Sequence, residues 1–113
     1  RTVEVRLTNE EYGITGQPDF HVESELFDWK VSKWPKWTWH WQCNVYLWLL
    51  NRPNGRYRIV QLHPDLGTWD EHKGEYSQKR MNAFLGLVEA YRQWREDNHV
   101  ITNREVETNQ ALG

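Results

Sequence analysis

The chain has almost no cysteine: Cys43 stands alone in 113 residues, so no intrachain disulfide can form and a secreted, disulfide-held scaffold is excluded. A reducing compartment suits this usage, and a cytoplasmic location is the expectation. Long apolar runs are missing too. The longest is Val45 to Leu50, far below the roughly 20 residues of a membrane span, and residues 1–8 lack the apolar core of a signal peptide. No membrane partner is expected. The five histidines, at 21, 40, 63, 72 and 99, include no pair four residues apart, so neither a metal nor another cofactor is signalled. Nor is there a glycine-rich phosphate loop. No catalytic residue is assigned.

One absence is local. All 16 acidic residues lie outside residues 29–64, while that window holds Lys30, Lys33, Lys36, Arg52, Arg56 and Arg58. A net charge of −2 hides this division.

What the chain does have is aromatic mass. Tryptophan occurs eight times, and six of these, Trp29, Trp34, Trp37, Trp39, Trp41 and Trp48, fall in the same acid-free window. Large rings can fill a core that is poor in aliphatics, so the chain has the means to fold despite its polarity. The length fits a single domain spanning residues 1–113, with 98–113 a polar tail expected to fray.

Alternation of apolar and polar residues predicts a strand over Thr2–Thr8, a loop over Asn9–Pro18, a second strand over Phe20–Asp28 and a connection over Trp29–Pro35. From Trp37 to Leu49 every odd position is apolar, which reads as a long strand. A helical stripe through Trp34, Trp37, Trp41, Val45 and Trp48 is the rival reading. Arg52-Pro53-Asn54-Gly55 then reads as a hairpin turn that returns the chain along Tyr57–Leu62, with Leu49 facing Val60 and Leu47 facing Leu62. Residues 63–72 read as a connection, with Thr68 and Glu71 matching a helix capping box. Met81, Phe84, Leu85, Val88, Tyr91 and Trp94 recur at steps of three and four, predicting an amphipathic helix over Tyr76–Asp97. His99–Val106 has the pattern of a short edge strand. The expected fold is α+β, an antiparallel sheet of four to five strands packed against one long C-terminal helix.

Basic residues interleaved with rings suit an anionic, stackable ligand such as single-stranded nucleic acid, because cations follow phosphates while rings stack on bases. The expected function is a non-enzymatic binding domain acting through this region. The candidate ligand-binding residues are Lys33, Trp34, Lys36, Trp37, His40, Arg52, Arg56 and Arg58. Trp34 and Trp37 are expected at the surface, Trp39 and Trp41 in the core, and Cys43 beside them as an inert thiol. A small protein-binding inhibitor, immunity or adaptor protein would use the same Trp and Arg as anchors. A homodimer is equally compatible with an apolar strand face. The third alternative is a small hydrolase built on His63, Asp70 and His72, though no nucleophile accompanies them.

Overall fold

The computed structural model describes residues 6–21 and 25–98. The expected strand residues 2–5, residues 22–24, and the expected tail and edge strand beyond 98 lie outside these. Asn9 begins the first turn, its Oδ1 accepting the Tyr12 N–H three residues on at 3.0 Å, and the turn folds β1 (Leu7–Asn9) against β2 (Ile14–Gly16). The expected loop over Asn9–Pro18 therefore contains a strand. β3 (Phe20–His21) and β4 (Glu25–Val31) pair antiparallel where one strand was expected, and β4 runs on through Trp29 to Val31.

The central correction concerns residues 37–50. They are not a strand: Thr38–Leu49 form a helix, α1. Pro35 lies ahead of the helix and breaks no hydrogen bond within it. The buried residues Trp39, Cys43, Tyr46 and Leu47 recur at helical steps, on the side of the helix roughly opposite the stripe through Trp37, Trp41, Val45 and Trp48. Apolar residues fill two opposed helix faces, and since residues two apart in a helix lie about 200° apart, every odd position in the sequence is apolar. The helix stops at Asn51, whose φ of 56° is left-handed. There the Arg52 N–H donates to the Leu47 carbonyl at 2.9 Å and the Asn51 N–H to the Trp48 carbonyl at 3.0 Å, a Schellman closure with proline just beyond. Arg52-Pro53-Asn54-Gly55 forms the expected turn, the Gly55 N–H donating to the Arg52 carbonyl at 3.0 Å, but it follows a helix and is not the tip of a hairpin.

β5 (Arg56–His63) emerges parallel to β4, with Leu26 opposite Tyr57 and Asp28 opposite Ile59. The pairings expected for Leu47 and Leu49 do not exist. A tight turn through Pro64–Gly67, with Gly67 at φ 65°, leads into β6 (Thr68–Glu75), antiparallel to β5. A strand thus replaces the expected connection and capping box, and Ile59 lies opposite His72. The larger sheet has the order β3-β4-β5-β6 and is mixed, not antiparallel as expected.

α1 covers one sheet face, making a core of Leu26, Trp39, Cys43, Tyr46, Leu47, Tyr57 and Ile59. A Cβ at Gly74 would collide with the Tyr57 phenol, so β6 is held close beneath that ring. The predicted C-terminal helix is present as α2 (Gln78–Asp97), its Ser77 side chain accepting the Arg80 N–H at 3.1 Å. It does not cover the sheet, as was expected, but packs on α1. Asn44 fixes the joint: buried, it accepts the Ser77 N–H at 2.7 Å and donates to the Ser77 carbonyl at 3.1 Å. The result is an α+β fold with two helices and two sheets among the described residues. No described helix is long and apolar enough to cross a membrane.

Candidate binding surfaces

The β4–α1 loop brings together four of the residues singled out by sequence. Trp34 and Trp37 are 70% and 72% exposed, Lys33 Nζ lies 5.7 Å from the Trp34 ring centroid, and Lys36 is exposed between them. The Ser32 hydroxyl braces the loop by donating to the Trp34 carbonyl at 2.9 Å. The loop feeds the N-terminus of α1, which has no side-chain cap and no acid in its first turn. Positive charge from the helix end and the two lysines therefore adds beside two open rings. Trp39 is buried as expected, whereas Trp41 is only partly so, edge-on to Trp37 and under the Arg80 guanidinium at 5.6 Å.

The other four candidates are not part of this surface. Arg52 follows the far end of α1, about 18 Å from its start by the rise of a 12-residue helix, and Arg56 and Arg58 lie in β5 and not in the loop. Arg58 is also committed within the fold: it reaches Glu25 and Glu71, each at 3.1 Å, and stacks over Phe27 at 5.6 Å. His40 Nδ1 meets the Tyr57 hydroxyl at 2.5 Å. Burial, with Arg80 and His72 adding repulsion, lowers the pKa of His40, so at neutral pH it is not a cation for an anionic ligand.

A second surface was not visible in the sequence. Along the sheet, Leu26, Asp28, Tyr57, Ile59, Gln61 and His72 face α1, so the alternate residues face away. In those outward rows Trp29 lies beside Val60, and Val31 beside Leu62 and then Trp69. Trp29 is 48%, Trp69 62% and Val31 72% exposed, and Leu66 extends the patch at the β5–β6 turn. Both α1 and the hairpin that packs on it lie on the other side, and α2 packs on α1, so none of these elements covers this face. A third apolar feature is a groove of about 610 Å³ between β2, α1 and α2, lined by Trp37, Trp41, Val45, Phe84 and Leu87.

Polar chemistry is sparse. His63 Nε2 lies 2.8 Å from Asp70 Oδ2, and Ser32 shares the adjoining cleft, but the Ser32 hydroxyl is engaged with the Trp34 carbonyl. His72 contacts Gln61 Oε1 at 2.9 Å and packs edge-on to Trp39, a packing role. Burial pushes the Cys43 thiol far up, leaving it protonated. No group of three or more His, Cys, Asp or Glu suited to a metal occurs among the described residues. Compared with family models, curated proteins and solved structures, the chain finds no match, so these surfaces carry the functional argument alone.

Proposed function

We propose that this chain is a non-enzymatic protein-binding module whose docking surface is the outward face of the larger sheet. The observation that carries this reading is the contiguous apolar patch of exposed Trp29, Val31, Leu66 and Trp69 around half-buried Leu62, which no described element covers while α1 covers the opposite face. Parallel strand pairs normally have both faces covered. A monomer gains nothing by exposing two tryptophans there, whereas an interface core gains most from Trp anchors ringed by charge. Arg58, Glu71 and Lys73 supply that rim on the same face. The matching partner is a folded protein with an apolar ridge flanked by charges of both signs.

The test is affinity capture with quantitative mass spectrometry, using wild type, a Trp29→Ser/Trp69→Ser variant and a Trp34→Ser/Trp37→Ser variant. The expected result is a partner lost with the first variant and kept with the second. Equal capture by all three excludes the sheet face. His63→Ala or Asp70→Ala is expected to leave the captured partner unchanged.

A second reading rests on a separate observation, the two open rings with Lys33 and Lys36 at the uncapped start of α1. That cluster has the chemistry for one or two phosphates and a stacked base, as in a short stretch of single-stranded nucleic acid. Its charge is too concentrated at one end to follow a longer strand across the molecule.

A further inference from the structure

The larger sheet ends in two very different edges. β3 contributes two residues, whereas β6 is an eight-residue edge strand that, among the described residues, pairs only on its β5 side. Such an edge offers a row of backbone donors and acceptors to another strand. The charges along it, Asp70, Glu71, Lys73 and Glu75, determine which strand can be accepted.

Lys73 is the residue that the single chain leaves unresolved. Its direct neighbour across the β5–β6 ladder is Arg58, a like charge on the same outward row. Arg58 is satisfied by Glu25 and Glu71, but Lys73 has no ion pair among the described residues. Like charges directly opposite one another destabilise a sheet, so an anion on the open side of Lys73 would relieve the arrangement.

A second copy of β6 supplies that anion. In an antiparallel two-fold pair, opposed residues share a face, so the axis must pass through a residue and not between two. Centring on Glu71 opposes Glu71 to itself. Centring on Lys73 opposes Lys73 to itself and Glu71 to Glu75, and centring on Asp70 opposes that carboxylate to itself. An axis through Gly74 sets Lys73 against Glu75 but overlaps little of the strand. Only an axis through His72 spans nearly the whole of Thr68–Glu75 and sets Glu71 of each copy opposite Lys73 of the other. Glu71 then lies between Arg58 of its own chain and Lys73 of the second copy.

We infer that the chain forms a two-fold dimer by antiparallel pairing of β6 with β6 of a second copy, in the register centred on His72, where Glu71 and Lys73 form reciprocal ion pairs. The two four-stranded sheets become one of eight strands. The charges that select this register also reject other strands. The inference goes beyond the docking reading, since it concerns the sheet edge and would hold if the apolar face bound nothing.

Sedimentation equilibrium on wild type, Lys73→Glu, Glu71→Lys, their equimolar mixture and the double variant E71K/K73E tests it. Wild type is expected to dimerise. Each single variant places like charges in both reciprocal positions and is expected to weaken dimerisation about tenfold or more. In the mixture, both positions become Lys opposite Glu, so heterodimers are expected, and the double variant is expected to recover self-association. Lys73→Glu also sets an acid beside Arg58 of its own chain, so its fold is expected to persist. That single variant is decisive even if Glu71→Lys, which loses the Arg58 contact, fails to fold. A wild type that stays monomeric, a Lys73→Glu variant that dimerises as wild type does, or a mixture of two folded variants without heterodimers overturns the inference.

Discussion

Asn44 carries more of the architecture than its polarity suggests. It is 1% exposed, and its carboxamide both accepts from and donates to the Ser77 backbone, tying α1 to the first turn of α2. Asn44→Ala removes both bonds and leaves the Ser77 N–H without its acceptor, so a loss of about 2 kcal/mol is expected in a urea melt. A change below about 0.5 kcal/mol would mean that α2 starts outside the cooperative unit. Asp28 makes a different contribution. Burial pushes its carboxyl up from 3.8 to about 6, with Asp19 adding to the rise and Lys30, 3.0 Å away, opposing it. The folded state therefore holds this proton longer than the unfolded state does. Its stabilising effect is fully present below about pH 4 and is lost as pH rises through about 6. Wild type is expected to lose more stability between pH 4 and 7 than Asp28→Asn, which cannot titrate. Parallel pH dependences of the two proteins in denaturant melts would place the Asp28 carboxyl at its ordinary value.

At the scale of elements, α1 shows what a sequence pattern can and cannot decide. A strand needs one apolar parity, and a helix needs one apolar stripe. Residues 37–50 satisfy both, because Trp37, Trp41 and Val45 face the groove while Trp39, Cys43 and Leu47 face the sheet. The end of the segment did not discriminate either, because Asn51 followed by Pro53 matches a left-handed helix cap as well as it matches a turn. Asn51→Gly is expected to leave stability nearly unchanged, since glycine suits that backbone. Asn51→Val is expected to cost about 1–2 kcal/mol, measured by thermal or chemical unfolding, because a branched side chain resists a left-handed φ. If valine were tolerated as well as glycine, the Schellman closure would not be limiting. β6 was illegible for the opposite reason. Its edge position spares it from any apolar alternation, so Asp70, Glu71 and Lys73 disguise a strand as a loop. α2 was legible, since its 20 residues carry the apolar spacing. Its pattern did not reveal that the stripe packs only in part, leaving Tyr91 and Trp94 exposed.

On the scale of the whole molecule, neighbours in sequence separate and distant residues meet. Lys33, Trp34, Lys36 and Trp37 could be read as one surface because they lie within a single loop. Trp29 and Trp69 could not, because their common face exists only once β5 is inserted between β4 and β6. The acid-free window suffers the reverse fate: Lys33 and Lys36 precede α1, Arg52 follows it, and Arg56 and Arg58 lie in β5. This division makes the second functional reading quantitative. A single-stranded oligonucleotide at the β4–α1 loop can reach Lys33 and Lys36 but not Arg56 or Arg58. With about −0.7 in log–log salt slope for each neutralised phosphate, two lysines predict a slope near −1.4. In fluorescence anisotropy across a salt series, Lys33→Ala or Lys36→Ala is expected to halve that slope, while Arg56→Ala is expected to leave it unchanged. Trp34→Ala is expected to weaken binding by roughly 1–3 kcal/mol per stacked base at every salt concentration. A slope several times steeper and sensitive to Arg56 would require a ligand that crosses the whole sheet. No binding at low salt would remove nucleic acid as a ligand of the loop and leave the outward sheet face as the sole functional surface.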